Sequence, residues 1–168
     1  MVTLGNPESR FRYEESVIAL IRKSEARDYL SRRGLPAGNP FLFPVAAYPQ
    51  IFEGREFIVI GTDGTDDAGL FCVDVDTGEV AIASNGSDAE IGHVNASPQA
   101  FDSCIAEFIR GCPYGNRDSE QEELELFSES LGRALSGIDG TVFREDPGFW
   151  YTLLNDVAIG DYIESSDL

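Results

Sequence analysis

Apolar positions recur along this chain at two periods, and the switches between them mark out its elements. Near the N-terminus Tyr13, Val17, Leu20 and Ile21 are spaced by three and four, which predicts one face of a helix. Ala26, Tyr29 and Leu30 form a second helical set, with Ser24 as the expected N-cap and Gly34 as the stop. Leu35-Pro36 then forces an extended exit, because a residue before proline avoids the helical region. Residues 36–49 are crowded with proline, glycine and aromatic side chains, and read as irregular backbone around a short strand at 41–43.

The pattern changes at Phe57-Ile58-Val59-Ile60, a β-branched run closed by Gly61. Leu70-Phe71-Cys72-Val73-Asp74-Val75 and Val80-Ala81-Ile82 repeat it. Asp76-Thr77-Gly78 between them is a tight turn whose glycine suits the left-handed position of a hairpin bulge. Residues 63–69 hold Gly, Thr and Asp, too short and polar for a crossover helix, so the three runs predict an antiparallel meander of at least three strands. Helical spacing resumes after Ser97-Pro98, an N-cap followed by proline at the first helical position. Ala100, Phe101, Cys104, Ile105, Phe108 and Ile109 make its buried stripe, and Gly111-Cys112-Pro113 ends it. Ser119 with Glu122 reads as a capping box ahead of Leu124, Phe127, Leu131 and Leu135. Asp146-Pro147 is expected to open a last helix carrying Phe149, Trp150, Leu153, Leu154 and Val157, closed by Gly160. Helices, then sheet, then helices make an α+β fold: a helical region at about 8–34, a central antiparallel sheet at about 41–95, and flanking helices at about 97–160.

At 168 residues the whole chain, 1–168, is expected to form one domain. Its apolar runs are far below the ~20 residues that span a bilayer, and its first residues lack the basic and apolar regions of a secretory signal. Three cysteines without metal spacing read as reduced thiols, and together these features predict a cytoplasmic protein. Charge sharpens the picture. There are 30 acidic against 12 basic side chains, a net −18, and seven of the twelve basic residues fall within 1–50. Such a surface repels phosphate, which argues against nucleic acid or an anionic membrane as partner. It either attracts a basic protein or serves solubility alone; charge does not choose between these.

Candidate chemistry is thin. His93 is the sole histidine and Lys23 the sole lysine, with no nucleophile–base constellation around either; His93 is expected as a satisfied polar residue at a strand end. Cys72 and Cys104 fall on apolar faces and are expected in the core. Asp74-Val75-Asp76-Thr77-Gly78 begins like a calcium loop, but the required glycine and bidentate glutamate positions hold Glu79 and Asn85. Gly61-Thr62-Asp63-Gly64 has no lysine and more acid behind it, which is unsuited to phosphate. No catalytic residue, cofactor or metal site is expected.

The pieces in their order resemble the SUKH superfamily, and within it the bacterial immunity proteins found beside polymorphic toxins. The resemblance rests on Arg27-Asp28-Tyr29-Leu30 with Gly34-Leu35-Pro36, then Phe43, then Ile58-Val59-Ile60-Gly61. It continues through residues 70–75, Thr77-Gly78-Glu79-Val80, Val94-Asn95-Ala96-Ser97, Phe101, and Phe149-Trp150 with Leu153. Ala96 stands where the family pattern often has a second serine. The resemblance implies an α+β fold, no enzymatic activity, and neutralisation of a cognate toxin, often a nuclease or nucleic-acid deaminase. A non-catalytic adaptor or regulatory scaffold, the role of other relatives, is the alternative. The motif residues read as fold determinants, with Asn95 and Ser97 expected to cap the following helix. The candidate contact residues lie elsewhere. Residues 61–91 carry eight acids and no Lys or Arg. Of these, Asp63, Asp66, Asp67, Asp88 and Glu90 fall in loops expected to project from one edge of the sheet toward a basic cleft on the toxin. The competing reading is a solvated acidic loop.

Overall fold

Phe57, Ile58, Val59 and Ile60 are all buried in the computed structural model, so the unbroken apolar run is a strand with a core on each face. The structure describes residues 9–64, 69–84 and 89–164. Five strands, β3 (Phe43–Phe52), β4 (Arg55–Thr62), β5 (Leu70–Asp74), β6 (Val80–Ala83) and β7 (Ile91–Asn95), pair in chain order, each antiparallel to the next. Before them come β1 (Arg10–Phe11), α1 (Glu15–Ile18), α2 (Ser24–Asp28), a π-helical turn over Tyr29–Arg33, and β2 (Leu35–Pro36), which pairs with β1. After them come α3 (Pro98–Gly111), α4 (Gln121–Ile138) and α5 (Phe149–Ala158). The fold is α+β, as the order of patterns predicts.

One face of the sheet builds the main core. Ile58 and Ile60 of β4, Phe71 and Val73 of β5 and Val94 of β7 cluster with Phe101 and Phe108 of α3, Leu135 of α4, and Trp150 and Val157 of α5. The other face holds a smaller cluster in which Phe57, Val59, Cys72 and Ala83 pack with Phe52. Gly34, at φ 72°, donates its N–H to the Tyr29 carbonyl at 2.9 Å and ends the π turn. A Cβ there would sit 2.1 Å from the Phe11 carbonyl oxygen, so glycine is required where β1 and β2 meet. The predicted turn glycine, Gly78, also has a positive φ, 74°.

Several expectations fail locally, each for a visible reason. The strand expected at 41–43 is the ten-residue β3, starting at Phe43. Pro44 and Pro49 argued for irregular backbone, but β3 is an edge strand, where proline's missing N–H is tolerated. The first helix is only Glu15–Ile18, because the chain turns away to place the Arg22 N–H on the Val75 carbonyl at 2.7 Å. Leu20 is consequently exposed and Ile18 buried. Ser24 lies inside α2, whose capping position is Lys23. Ser119 does not cap α4: its hydroxyl accepts the Asn116 N–H at 3.1 Å within a tight turn, and the capping position falls to Glu120. Residues 146–147 do not open α5, which begins at Phe149 behind Gly148. The preceding stretch is held by Arg144 on Glu79 and by Glu145 on the His93 N–H.

Ser97 caps α3 as expected, accepting the Ala100 N–H at 3.1 Å. Asn95 does something else. Its Oδ1 accepts the Trp150 indole N–H at 3.0 Å, and its Nδ2 donates to Asp139 Oδ2 at 2.8 Å. Asp139, just past α4, also accepts from the Ala96 N–H at 2.8 Å and from the Thr141 hydroxyl and N–H at 2.7 and 2.9 Å. All three central residues are buried. A single buried polar relay therefore joins β7, the end of α4 and α5. Asp139→Ala strips the acceptor from several donors at once, at about 1–3 kcal/mol per buried donor left unsatisfied. We expect urea denaturation to show a loss of about 3 kcal/mol for Asp139→Ala and a smaller loss for Asp139→Asn. Equal, small losses for both would show that the relay contributes little.

Candidate functional site

Strand register decides which acids meet. Thr62 pairs with Leu70, Leu70 with Ala83, and Ala83 with Ile91, so the β4–β5 and β6–β7 connections emerge side by side at one end of the sheet. Each is closed at its base: the Asp63 N–H donates to the Gly69 carbonyl, and the Ser84 N–H to the Glu90 carbonyl, both at 3.0 Å. Asp63 is half-buried there, and Glu90 is exposed, its N–H on the Ser84 hydroxyl. Asp66, Asp67 and Asp88 lie outside the described residues. The acids of the β5–β6 hairpin, at the opposite end, are already neutralised. Asp74 is paired with Arg55, Asp76 with Arg22 at 2.9 Å, and Glu79 with Arg144 at 3.0 Å. Asp74 Oδ1 also accepts the Asp76 and Thr77 N–H groups at 2.8 and 2.7 Å, so this carboxylate organises the turn that resembled a calcium loop.

Beside Glu90 the surface opens into a cavity of about 540 Å³ between the sheet end and α5. Its floor is apolar, from Phe41, Ile82, Phe149 and Leu153, and three acids line it: Glu90, Glu145 and Asp156. Among the described residues no lysine or arginine lines it and none forms an ion pair with these three. Burial, and then the neighbouring Asp161 charge, pushes the Asp156 carboxyl above its ordinary value. Sequence reasoning missed Glu145 and Asp156 because they lie far along the chain from the acidic loops. A signal existed: Leu153 and Asp156 are three residues apart on α5, and so share a face. The position of that face against the sheet is set by the Trp150–Asn95 bond, which no local pattern encodes.

A family model described as SUKH-4 immunity protein matches residues 6–156. No curated protein matches the chain, and no solved structure matches it. The matched span contains the whole five-stranded sheet, α3, α4 and most of α5, and so includes both walls of the cavity.

The groups able to do chemistry are held in structural roles. Burial pushes the Cys72 and Cys104 thiols up to about 12, so both remain protonated near neutrality. Among the described residues no group of three or more His, Cys, Asp or Glu is arranged to hold a metal ion. No helix described here is long and apolar enough to cross a membrane. His93 is held between the β5–β6 hairpin and the α4–α5 connection, with Nε2 2.8 Å from the Thr141 hydroxyl and Nδ1 3.6 Å from Glu79. Burial, and then Arg144, lowers its pKa against the pull of Glu79, Asp139 and Glu145. Burial alone would raise Asp139 and Asp74, yet hydrogen bonds to both, with Arg55 on Asp74, hold each below the ordinary value. All three groups bind protons less readily folded than unfolded, so each withdraws stability as pH falls. We expect urea denaturation to show a first decline as pH falls below about 6.5, from His93, and a second below about 4, from the carboxylates. His93→Gln should remove the upper decline and leave the lower. An unchanged upper decline would assign it to another group.

Proposed function

The chain belongs to the SUKH-4 immunity protein family, and from that premise we propose that it binds and neutralises a cognate toxin through the acidic end of its sheet. The toxin is a nucleic-acid-processing enzyme, a nuclease or deaminase, whose substrate is a polyanion and whose cleft is therefore basic. The inhibitor acts in the bacterial cytoplasm by occlusion, without catalysis or cofactor. Asp63, Asp66, Asp67, Asp88 and Glu90 face the cleft.

The observation that carries this reading is the contrast between the two ends of the sheet. Arginines compensate the acids of the β5–β6 hairpin, whereas Glu90 at the other end has no basic partner among the described residues. A compensated acid has little field to offer; an uncompensated one steers a cationic partner from a distance. The raised thiols and the engaged His93 are consistent with action by binding. A specific complex of this kind buries about 1,600 Å² in total, with few contacts dominating.

Two measurements test the reading. Co-expression with the toxin domain encoded beside this gene should restore growth, and a toxic domain that this chain does not suppress would sink the immunity role in favour of an adaptor. The variant Asp66→Asn/Asp67→Asn removes two loop charges at nearly constant volume. We expect toxin association to slow by about tenfold at low salt, with the difference shrinking at high salt and dissociation little changed. Unchanged association at both salts would remove these acids from the interface.

A further inference from the structure

We propose that the cavity between the sheet end and α5 is an anchor pocket that receives one arginine side chain of the toxin; this rests on the toxin-binding reading above. At about 540 Å³ it falls within the roughly 300–1,000 Å³ range of ligand pockets, well beyond a packing defect. Its walls choose the occupant. Phe41, Ile82, Phe149 and Leu153 offer an apolar floor, and Glu90, Glu145 and Asp156 supply carboxylates from three separate segments. Among the described residues one side-chain hydrogen bond from the chain enters this set, the His93 N–H on Glu145 Oε2 at 2.9 Å.

A neutral apolar group would fill the floor but desolvate the carboxylates without compensation. A bare metal ion would meet the carboxylates but leave the floor wet, and no metal-holding cluster exists among the described residues. A cation on an apolar stem satisfies both surfaces. Arginine fits better than lysine: its guanidinium is planar and weakly hydrated, binds carboxylates bidentately, and packs well against apolar and aromatic surface. The partly buried Asp156, whose carboxyl is held high by burial and Asp161, gains most from such a counter-ion. The pocket thus adds a desolvated anchor beside the steering acids of the loops, with Glu90 shared by both. Arginines in well-packed, desolvated pockets are where binding energy concentrates at interfaces.

Small probes test the pocket without the toxin. Titration of the isotope-labelled protein with n-butylguanidinium should shift the amide resonances of residues 82–84, 90–92 and 145–156 saturably. We expect n-butylammonium to bind several-fold more weakly, and n-butanol or calcium to give no saturable shift there. Asp156→Asn should weaken butylguanidinium at least fivefold, whereas Glu129→Gln on the exposed face of α4 should not. No saturable shift, or equal shifts from butanol, overturns the pocket and leaves the toxin-binding reading in place. Against the toxin domain, Asp156→Asn should raise Kd about tenfold through faster dissociation with association unchanged, the reverse of the loop variant. An unchanged dissociation rate overturns the anchor alone. Absence of toxin binding by the wild-type chain overturns the reading beneath it, and the anchor with it.

Discussion

The Asp139 carboxylate is where this fold is tied together. It gathers donors from Asn95 and Ala96 at the end of β7 and from Thr141 beyond α4, and through Asn95 it reaches the Trp150 indole on α5. A carboxylate this buried is tolerable only because its hydrogen bonds replace water. The cost of burial therefore becomes a specification: α5 can dock only where Trp150 meets Asn95. That single placement carries Phe149 and Leu153 to the sheet and Asp156 to the rim of the cavity. The geometry of the acidic cavity is thus set from inside the core, by buried residues that do not line it.

A second polar node does the same for the N-terminal segment. Asp102 of α3 receives Arg10 from β1 and the Tyr29 hydroxyl from the π turn. These nodes explain how a chain with a net charge of −18 stays assembled. Arg10 is placed on the buried Asp102, and Arg22, Arg55 and Arg144 on the acids of the β5–β6 hairpin. The surplus negative charge is left to the surface, where water and salt screen it. Charge excess and charge order are separate properties, and only the second depends on the fold.

The elements legible in the sequence were those governed by local chemistry. β4, β5, β6 and α3 follow from β-branched runs, a turn glycine and a serine–proline start, and Cys72 and Cys104 are buried as their faces require. What stayed hidden depends on neighbours distant along the chain. β3 was obscured because prolines read as breakers until the strand is known to lie at an edge. Ser119 looks like a cap until the Asn116 turn claims its hydroxyl. Asn95 looks like a cap until Trp150 and Asp139 arrive from residues far downstream. The candidate site divides the same way. That the strand ends at Thr62, Leu70, Ala83 and Ile91 lie side by side follows from meander topology, but Glu145 and Asp156 join Glu90 only through the docking of α5.

Glu145 also has a role at the margin of the sheet. β7 is one edge, and its His93 N–H is occupied by the Glu145 carboxylate. β3 is the other edge, and it contains Pro44 and Pro49, which have no N–H to donate. Phe43, Tyr48 and Ile51 lie exposed along β3, so an unblunted edge here would invite strand addition. Both margins are instead chemically terminated, one by imino acids and one by a carboxylate. A sheet with apolar side chains exposed along one edge has to accumulate without polymerising, and this one carries its own chain terminators.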